Sequence, residues 1–343
     1  MLPTDPFMPK LNPDDGAAPA AALSALARAA LDAYAVSADS RVSLLNLSEN
    51  AMFRVDAPDG ARFVLRLHRP GYHTPEAIAS ELAWAVALRQ AGVVTTPSPV
   101  AGRNGATVQQ IAQPAAGQPR NAVLFHWETG TEPAITGSIA PHVETLGEIA
   151  ARMHLHARQW APPAGFTRQT WDVATSLGDD TPHWGRWRDA LGMTAAREHL
   201  FQRTVNVISR RLAAYGKGAD RFGLIHADLR LANLLIDGHA VKVIDFDDCG
   251  FGWYMYDAAT VISFYEHTPQ APDLIEAWKT GYRRVMPIAS PDEAEIPTLV
   301  MLRRILLTAW IASHSEAEFP KSLGARYTEQ GLALCDAYLG MYS

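Results

Sequence analysis

The sequence predicts an α+β fold in two lobes, in which a small antiparallel sheet with one key helix precedes a larger, mostly helical lobe. Short strand-like runs separated by turn residues fill positions 42–126, and apolar residues recur at helical spacing from position 139 onward. The 343 residues, 48% of them hydrophobic, suffice for one large core or two smaller ones. We therefore expect ligands to bind in a cleft between the lobes.

Composition and periodicity divide the chain into three segments. Residues 1–20 mix proline, aspartate and alanine, which is typical of a flexible arm. Residues 21–127 are expected to form the first lobe, which begins with an alanine-rich helix near residues 21–34. Residues 128–343 are expected to form the second lobe.

Turn and cap signals delimit the elements of the first lobe. Asp59 and Gly60 predict a hairpin. Thr74 followed by Pro75 predicts the start of a helix that ends at Gly92, because threonine caps a helix and proline suits its first turn. The strands of this lobe are expected at residues 42–47, 51–55, 62–68 and 122–126.

A long amphipathic helix is expected at the start of the second lobe, over residues 139–160. Val143, Leu146, Ile149 and Met153 recur there at helical spacing, so one face of this helix should be buried.

Charge and cysteine content disfavour several classes of protein. The formal net charge is -6 and no basic stripe is visible, which disfavours a nucleic-acid binder. Cys249 and Cys335 are too few for a disulfide framework, which fits a reducing compartment. The first residues lack the features of a signal peptide, and the apolar run at residues 305–311 is too short to span a membrane. We therefore expect a cytoplasmic protein without a membrane or nucleic-acid partner.

The segment from His226 to Asp245 carries the strongest functional signal. It reads His-Ala-Asp-Leu-Arg-Leu-Ala-Asn, followed by a strand, an Asp237-Gly238 turn, a second strand and an aspartate. Phosphoryl transfer to a hydroxyl needs a carboxylate that orients and deprotonates the hydroxyl, and oxygen ligands for Mg²⁺ nearby. Asp228 can be the catalytic carboxylate and Asn233 and Asp245 the ligands, because the hairpin returns Asp245 to the loop. The motif thus predicts a phosphotransferase with ATP and Mg²⁺ as cofactors, and His226 is interpreted as structural.

With these motifs, the chain resembles the aminoglycoside phosphotransferase and choline kinase superfamily over residues 42–265. Within it, the resemblance is strongest to stress-response kinases of the RdoA type and to type II homoserine kinases. Residues 47–55, 63–70 and 146–154 look like the nucleotide-positioning loop, the third strand and the first long helix of the large lobe. The resemblance implies a bilobal protein-kinase-like fold, with a nucleotide-binding first lobe and a second lobe that supplies catalysis and the acceptor site.

The resemblance also implies residues that bind the nucleotide. Arg66 stands where the family often has a lysine that grips the α- and β-phosphates, and Glu81 stands where the ion-pair partner of that lysine lies. Arginine keeps the positive charge but is bulkier and forked. A glycine-rich phosphate loop is absent, and Ser48, Glu49 and Asn50 would instead present backbone or short polar groups to the nucleotide.

Further polar residues near the motif have implied roles. Arg230 occupies the place of a lysine near the transferred phosphate, so it is a candidate catalytic residue. Asp247 is a candidate for the metal or substrate environment, whereas Asp248 is expected to face solvent or cap the next turn. Asp257 is expected to brace the catalytic loop from below.

Several aromatic residues of the second lobe have no task in nucleotide chemistry and are candidates for the acceptor site. Tryptophans cluster between the long helix and the catalytic loop, and we expect Trp184, with Trp253 or Tyr254, to wall an acceptor pocket. Such walls suit a cationic or apolar small molecule. With the resemblance, they imply that the acceptor is a hydroxyl of an amino alcohol or of an aminoglycoside-like or homoserine-like compound. The whole tryptophan cluster comprises Trp160, Trp171, Trp184 and Trp187.

Three alternative functions stay open at this point. A Ser/Thr protein kinase of the RdoA type would share the Asp228 machinery. A nucleotide-binding regulator without turnover would explain Arg66, although intact Asp228, Asn233 and Asp245 argue against it. A metal-dependent phosphatase built on Asp245 is disfavoured, because a hairpin rather than an early parallel strand precedes that aspartate.

Overall fold

A computed structural model describes residues 17–47, 49–112, 119–133 and 137–342 of the chain. Residues 1–16 of the predicted arm and Ser48 lie outside the described residues. The architecture confirms the predicted α+β fold, because a five-stranded antiparallel sheet comes first and most of the chain that follows is helical. The proposed boundary between residues 127 and 128 follows the last strand of that sheet and stays a prediction.

The sheet of the first lobe has the strand order β1-β2-β3-β5-β4, and all its neighbouring strands are antiparallel. On β2, Ala51, Phe53 and Val55 are buried and alternate with half-buried residues, as expected for a strand with one face on a core. Helix α1 (Ala17–Ala30) contributes Leu26 to the same core. The strands are β1 (Arg41–Leu47), β2 (Ala51–Asp56), β3 (Arg62–Leu67), β4 (Val108–Ile111) and β5 (Arg120–His126).

Helix α2 (Pro75–Gln90) begins where the sequence predicts. The Thr74 hydroxyl accepts a hydrogen bond from the Ala77 backbone N–H at 3.2 Å, which confirms the predicted cap. Glu81 lies on the buried side of this helix. A buried carboxylate is costly unless it is paired, so the partner of Glu81 is a first clue to the functional site.

The second lobe is built on close helix packing. Helices α3 and α7 approach each other through glycines, because a Cβ atom added at Gly147 would overlap the Trp278 carbonyl oxygen and one at Gly281 would overlap that of Glu144. The predicted helix over residues 139–160 is thereby confirmed as α3. The helices of this lobe are α3 (Ala140–Gln159), α4 (Val173–Leu177), α5 (Ala195–Tyr215), α6 (Tyr256–Val261), α7 (Ala271–Arg283), α8 (Ser290–Ser313) and α9 (Glu318–Tyr342), the last of which is kinked at Gly324.

Two small sheets in the second lobe position the functional motif. Strands β8 (Leu234–Asp237) and β9 (Ala240–Val243) form the predicted hairpin, with Gly238 at a positive φ of 61° in its turn. Strand β7 leads into the catalytic loop, which lies between β7 and β8. The other small sheet has the order β6-β10-β7, formed by β6 (Thr170–Trp171), β7 (Phe222–Ile225) and β10 (Gly250–Trp253).

Helix α8 is long and apolar enough to cross a membrane, yet 72% of its most apolar window is buried inside the protein. It also carries Arg303 and Arg304, which are buried and make ion pairs with Asp228 and Glu266. A membrane-spanning helix disfavours such charges at its centre. We therefore interpret α8 as a core helix of the second lobe.

Candidate active site

The catalytic loop is held from below by a buried aspartate. Asp257 accepts hydrogen bonds from the backbone N–H groups of His226 and Ala227 at 3.3 and 2.9 Å, and its Oδ2 lies 3.0 Å from the His154 Nε2. Ala227 adopts a positive φ of 65°, a costly conformation for a residue with a side chain. The structure thus places Asp257 in the bracing position that the sequence suggests. His226 Nε2 faces the Ile244 carbonyl oxygen at 3.3 Å, in keeping with a structural role.

Asp228 follows Ala227 and is clamped by two guanidinium groups. Arg230 donates to both of its oxygens at 2.9 and 3.1 Å, and Arg303 donates to Oδ1 at 2.7 Å. Desolvation raises the pKa of a buried carboxyl, but Arg230 and Arg303 outweigh it and lower the pKa of Asp228 below its usual value. Asp228 is therefore ionised at neutral pH and available as a proton acceptor. The Asn233 Nδ2 donates to Asp228 Oδ2 at 3.0 Å, so the two residues form one unit.

Asp245 returns to this loop through the β8–β9 hairpin. The Ile244 backbone N–H donates to the Asn233 carbonyl oxygen at 2.9 Å, which brings the chain of Asp245 beside Asn233. Asp245 has a positive φ of 60° and an exposed side chain. Desolvation of this carboxyl by the surrounding protein, together with the charge of Asp247, raises the pKa of Asp245 to about 7. Such a raised pKa is typical of a carboxylate that lacks a cation.

Asn233 and Asp245 fit a Mg²⁺ site of the kind that shares its ion with phosphates. Within the described residues, no donor contacts Asp245, and the Asn233 Oδ1 accepts no hydrogen bond. Both residues therefore retain oxygen atoms for a cation. Mg²⁺ typically takes one or two protein ligands together with phosphate oxygens and water. The described residues contain no group of three or more His, Cys, Asp or Glu side chains arranged for a metal.

Arg66 and Glu81 form the ion pair that the resemblance implies. The Arg66 Nη2 lies 2.7 and 2.8 Å from the two carboxylate oxygens of Glu81, and both side chains are buried. The guanidinium also lies 5.2 Å from the centre of the Phe125 ring and 3.9 Å from Asp247 Oδ1. Arginine thus holds the place of the lysine with its charge compensated, and it lies within electrostatic reach of Asp245.

Substitution of Arg66 measures how much the phosphate grip depends on this charge. Arg66→Lys is expected to keep most of the activity, whereas Arg66→Ala should lower kcat/KM for ATP by about 100-fold, because it removes the cation beside the phosphates and leaves Glu81 buried and unpaired. Steady-state kinetics with varied ATP provides the measurement. Arg62→Ala, on the exposed end of the same strand, is the matched control. Equal kinetics for all three variants would assign Arg66 a purely structural role.

The predicted nucleotide loop makes different contacts from those expected. Ser48 lies outside the described residues. Glu49 accepts a hydrogen bond from the Trp310 Nε1 at 2.6 Å and pairs with Arg69 at 3.3 Å. Asn50 is buried, donates to Asp247 Oδ2 at 2.9 Å and accepts from the Arg69 backbone N–H at 3.0 Å. The Glu49 and Asn50 side chains are thus engaged inside the protein, so at these two residues the predicted nucleotide contact would be left to the backbone.

Asp247 is buried and contacts several side chains of the first lobe, so it is not an exposed carboxylate. Besides Asn50, it faces the His68 Nδ1 at 3.6 Å and the His73 Nε2 at 3.9 Å. Desolvation raises the pKa of this carboxyl, but Arg66 and the two histidines outweigh it and hold the pKa of Asp247 well below its usual value. Asp247 therefore links the first lobe to the segment that follows Asp245. Its predicted direct contact with metal or substrate stays a prediction.

Asp248 is half-buried, whereas the sequence suggests a residue that faces solvent or caps a turn. The Tyr72 hydroxyl donates to Asp248 Oδ1 at 2.7 Å, and the Trp171 Nε1 donates to its backbone carbonyl at 2.7 Å. Desolvation, together with the charges of Glu49 and Asp228, raises the pKa of Asp248 well above its usual range. Tyr72, from the first lobe, covers one oxygen of this carboxyl, so the expectation of a solvent-facing residue is met only in part.

The structure separates the predicted aromatic residues of the acceptor pocket. Trp184 lies next to the site, with its Nε1 donating to the Tyr72 hydroxyl at 3.2 Å and the Arg303 guanidinium 5.1 Å from its ring. Trp253 lies away from the site, because its Nε1 donates to the Gly216 carbonyl at 2.7 Å and its ring packs against Phe222. Tyr254 lines a different surface pocket together with Arg158. The assignment of these last two residues to the acceptor pocket is therefore corrected.

Sequence reasoning missed four residues of the site. Arg303 and Trp310 lie on α8, and Arg69 and Tyr72 follow strand β3. The paired arginines at positions 303 and 304, inside an otherwise apolar helix, were the available signal for the first of them. No local pattern marks the other three.

Comparisons with known proteins agree with this geometry. The sequence profile described as the phosphotransferase enzyme family matches residues 42–288. The structure of a microcompartment-associated aminopropanol kinase is similar with a TM-score of 0.85 and 44% sequence identity, and the match covers 92% of this chain and 98% of that chain. The homoserine kinase of Methylobacillus flagellatus is 26% identical over 275 residues, which are 77% of this chain and 76% of that protein. The amicoumacin kinase hAmiN, with a TM-score of 0.73 and 20% identity over 89% of this chain and 91% of its own, shares the fold.

Proposed function

The chain belongs to the phosphotransferase enzyme family, and from this premise we propose that it uses Mg-ATP to phosphorylate the hydroxyl group of an amino alcohol. Like these relatives, it is a kinase that acts on a hydroxyl of a small molecule. The proposal adds the nucleotide, the metal, the class of acceptor and the role of each residue.

The grouping of Asp228, Asn233 and Asp245 is the observation that carries the proposal. An ionised carboxylate, an amide oxygen and a second carboxylate without a cation meet at one loop, within reach of the Arg66 guanidinium. Phosphoryl transfer depends on positioning and on charge stabilisation, and these groups supply both. A nucleotide-binding regulator would not require all of them.

Each residue has a distinct task in the proposed reaction. Asp228 accepts a hydrogen bond from the acceptor hydroxyl and takes its proton as the new O–P bond forms and the bond between the γ-phosphorus and ADP breaks. When bound, Mg²⁺ would neutralise charge on the phosphates, and Asn233 and Asp245 would hold it. Arg66 would contact the phosphates from the first lobe. Arg230 would leave Asp228 and stabilise charge on the transferred group.

An amino alcohol is the acceptor class that two observations support. The relative with 44% identity is an aminopropanol kinase, and the match spans almost the whole of both chains. In addition, the aromatic residues Tyr72, Trp184 and Trp310 are linked to Asp228 through Arg303, and such residues favour organic cations. This chain of contacts includes Tyr72 from the first lobe, and a site formed by both lobes suits a small acceptor better than the open groove that a protein substrate needs.

An acceptor screen tests this proposal directly. Purified protein with Mg-ATP is offered aminopropanol, ethanolamine, homoserine, an aminoglycoside and a serine-rich protein, and ADP release is measured by a coupled assay. We expect kcat/KM for the amino alcohols to exceed that for homoserine by at least about tenfold, because one well-placed polar contact is worth that much. ADP release with the serine-rich protein but with none of the small molecules would contradict the proposal. So would the absence of ADP release with every compound of the screen.

We also propose that the enzyme works in the cytoplasm. Cys249 and Cys335 are both buried and unpaired, which suits a reducing compartment. ATP and Mg²⁺ are supplied there as well.

A further inference from the structure

A chain of side-chain contacts leads from Asp228 to the first lobe. Arg230 pairs with Asp228, and its guanidinium lies 5.7 Å from the centre of the Phe264 ring. The Phe264 ring lies 6.2 Å from that of Trp310, and the Trp310 Nε1 donates to Glu49 at 2.6 Å. This side therefore links the catalytic carboxylate to a residue of the first lobe.

The other side starts again from Asp228 and ends at Asp248. Arg303 donates to Asp228 and lies over the Trp184 ring. The Trp184 Nε1 donates to the Tyr72 hydroxyl, which in turn donates to Asp248 Oδ1. The two sides meet because the Arg69 guanidinium, paired with Glu49, lies 3.4 Å from the centre of the Tyr72 ring. The side chains thus form a closed ring of contacts that includes Asp228 and reaches Asp248 through Tyr72, and we call it the acceptor ring.

Asp248 is the carboxylate of the acceptor ring that lacks an ion pair within the described residues. Asp228 pairs with Arg230 and Arg303, and Glu49 pairs with Arg69. By contrast, no Lys, Arg or His side chain in the described part of the chain forms an ion pair with Asp248, and its Oδ2 accepts no hydrogen bond there. Asp248 is only half-buried, so this carboxylate stays accessible to a ligand.

We propose that Asp248 binds the ammonium group of the acceptor while Asp228 binds its hydroxyl, with the rings of Tyr72 and Trp310 against its carbon chain. The inference rests on the proposed function and specifies its acceptor. A carboxylate without a cation in a partly desolvated site gains most from an organic ammonium ion. The three arginines of the acceptor ring each pair with a protein carboxylate, two of them with Asp228, so an acceptor carboxylate would have to compete with Asp228 or Glu49 for a cation. An amino alcohol without a carboxylate is therefore preferred over a hydroxy amino acid.

Calorimetry of acceptor binding tests the role of Asp248 without relying on turnover. Aminopropanol is titrated into the protein loaded with Mg²⁺ and a non-hydrolysable ATP analogue. We expect Asp248→Asn to weaken the Kd of aminopropanol by roughly 10- to 100-fold, because the variant keeps the shape and removes the charge. Tyr72→Phe, which removes the hydroxyl that orients Asp248, should weaken it by a smaller factor. The matched control is Asp336→Asn, which removes an exposed carboxylate on α9 and should leave the Kd unchanged.

Three outcomes would overturn the inference. The first is an aminopropanol Kd that is the same in the parent and in Asp248→Asn. The second is tighter binding of homoserine than of aminopropanol by the parent, and the third is no binding of either amine. Failure of the proposed function has a different signature, since aminopropanol would then bind in an Asp248-dependent way but yield no ADP in the acceptor screen.

Discussion

Asp228→Asn is expected to lower kcat by about 10³-fold and to leave the affinity for Mg-ATP largely unchanged. Asparagine keeps the shape of the side chain and can still accept a hydrogen bond from the acceptor hydroxyl, but it cannot take the proton. General-base catalysis of this kind contributes about 10²- to 10⁴-fold. The loss should appear equally in kcat and in kcat/KM for the acceptor, because the proton is taken only in the transition state. Single-turnover and steady-state kinetics with aminopropanol provide the measurement.

The same substitution should also lower stability, and this effect must be separated from catalysis. Arg303 is 2% exposed and depends on Asp228 for its ion pair. Loss of that partner leaves a buried guanidinium without a counter-charge, and we expect a cost of about 1–3 kcal/mol in the free energy of unfolding. Kinetics are therefore compared well below the Tm of the variant, after calorimetry has shown that it still binds Mg-ATP. Near-parental kcat in a folded Asp228→Asn variant would remove the central assignment.

Local signals in the sequence were enough for most of the fold. The cap at Thr74, the turn at Gly238 and the spacing of apolar residues in α3 each depend on neighbours a few residues away, and the structure has all three. Hydrophobic alternation likewise placed β1, β2, β3 and β5 within one or two residues, whereas β4 was not predicted as a strand. Such features are decided by short-range backbone chemistry, which a single sequence displays.

The parts of the site that were missed depend on distant contacts. Arg303 reaches Asp228 across 75 positions, and Trp310 reaches Glu49 across 261 positions. Neither contact leaves a pattern within a window of sequence. The assignment of Trp253 failed for a related reason, because the number of aromatic residues in a segment does not say which way each side chain faces. Strand β10 turns Trp253 toward Gly216, on the side of Phe222.

The electrostatics of the site were likewise predictable from the sequence only where they depend on local residues. The sequence motif predicted which carboxylates and amides gather at the loop, but it could not predict which of them have cations. In the structure Asp228 forms ion pairs with two arginines, whereas no cation within the described residues forms an ion pair with Asp245. This contrast gives the two aspartates separate tasks, because a carboxylate paired with arginines stays ionised and fixed in place, and one without a cation is free to bind a metal.

Asp245→Ala is expected to weaken Mg²⁺-dependent nucleotide binding by at least about 100-fold, in contrast to Asp228→Asn. The lost group is an ionised metal ligand, and Asn233 alone supplies a neutral oxygen. Calorimetry with a non-hydrolysable ATP analogue, with and without Mg²⁺, gives the Mg²⁺-dependent part of the affinity. Asp237→Ala, at the turn end of the same hairpin, is the matched control, since its carboxylate contacts Thr129 and Lys242 instead. Unchanged Mg²⁺-dependent affinity in Asp245→Ala, with the control also unchanged, would show that the metal lies elsewhere and that the raised pKa of Asp245 has another origin.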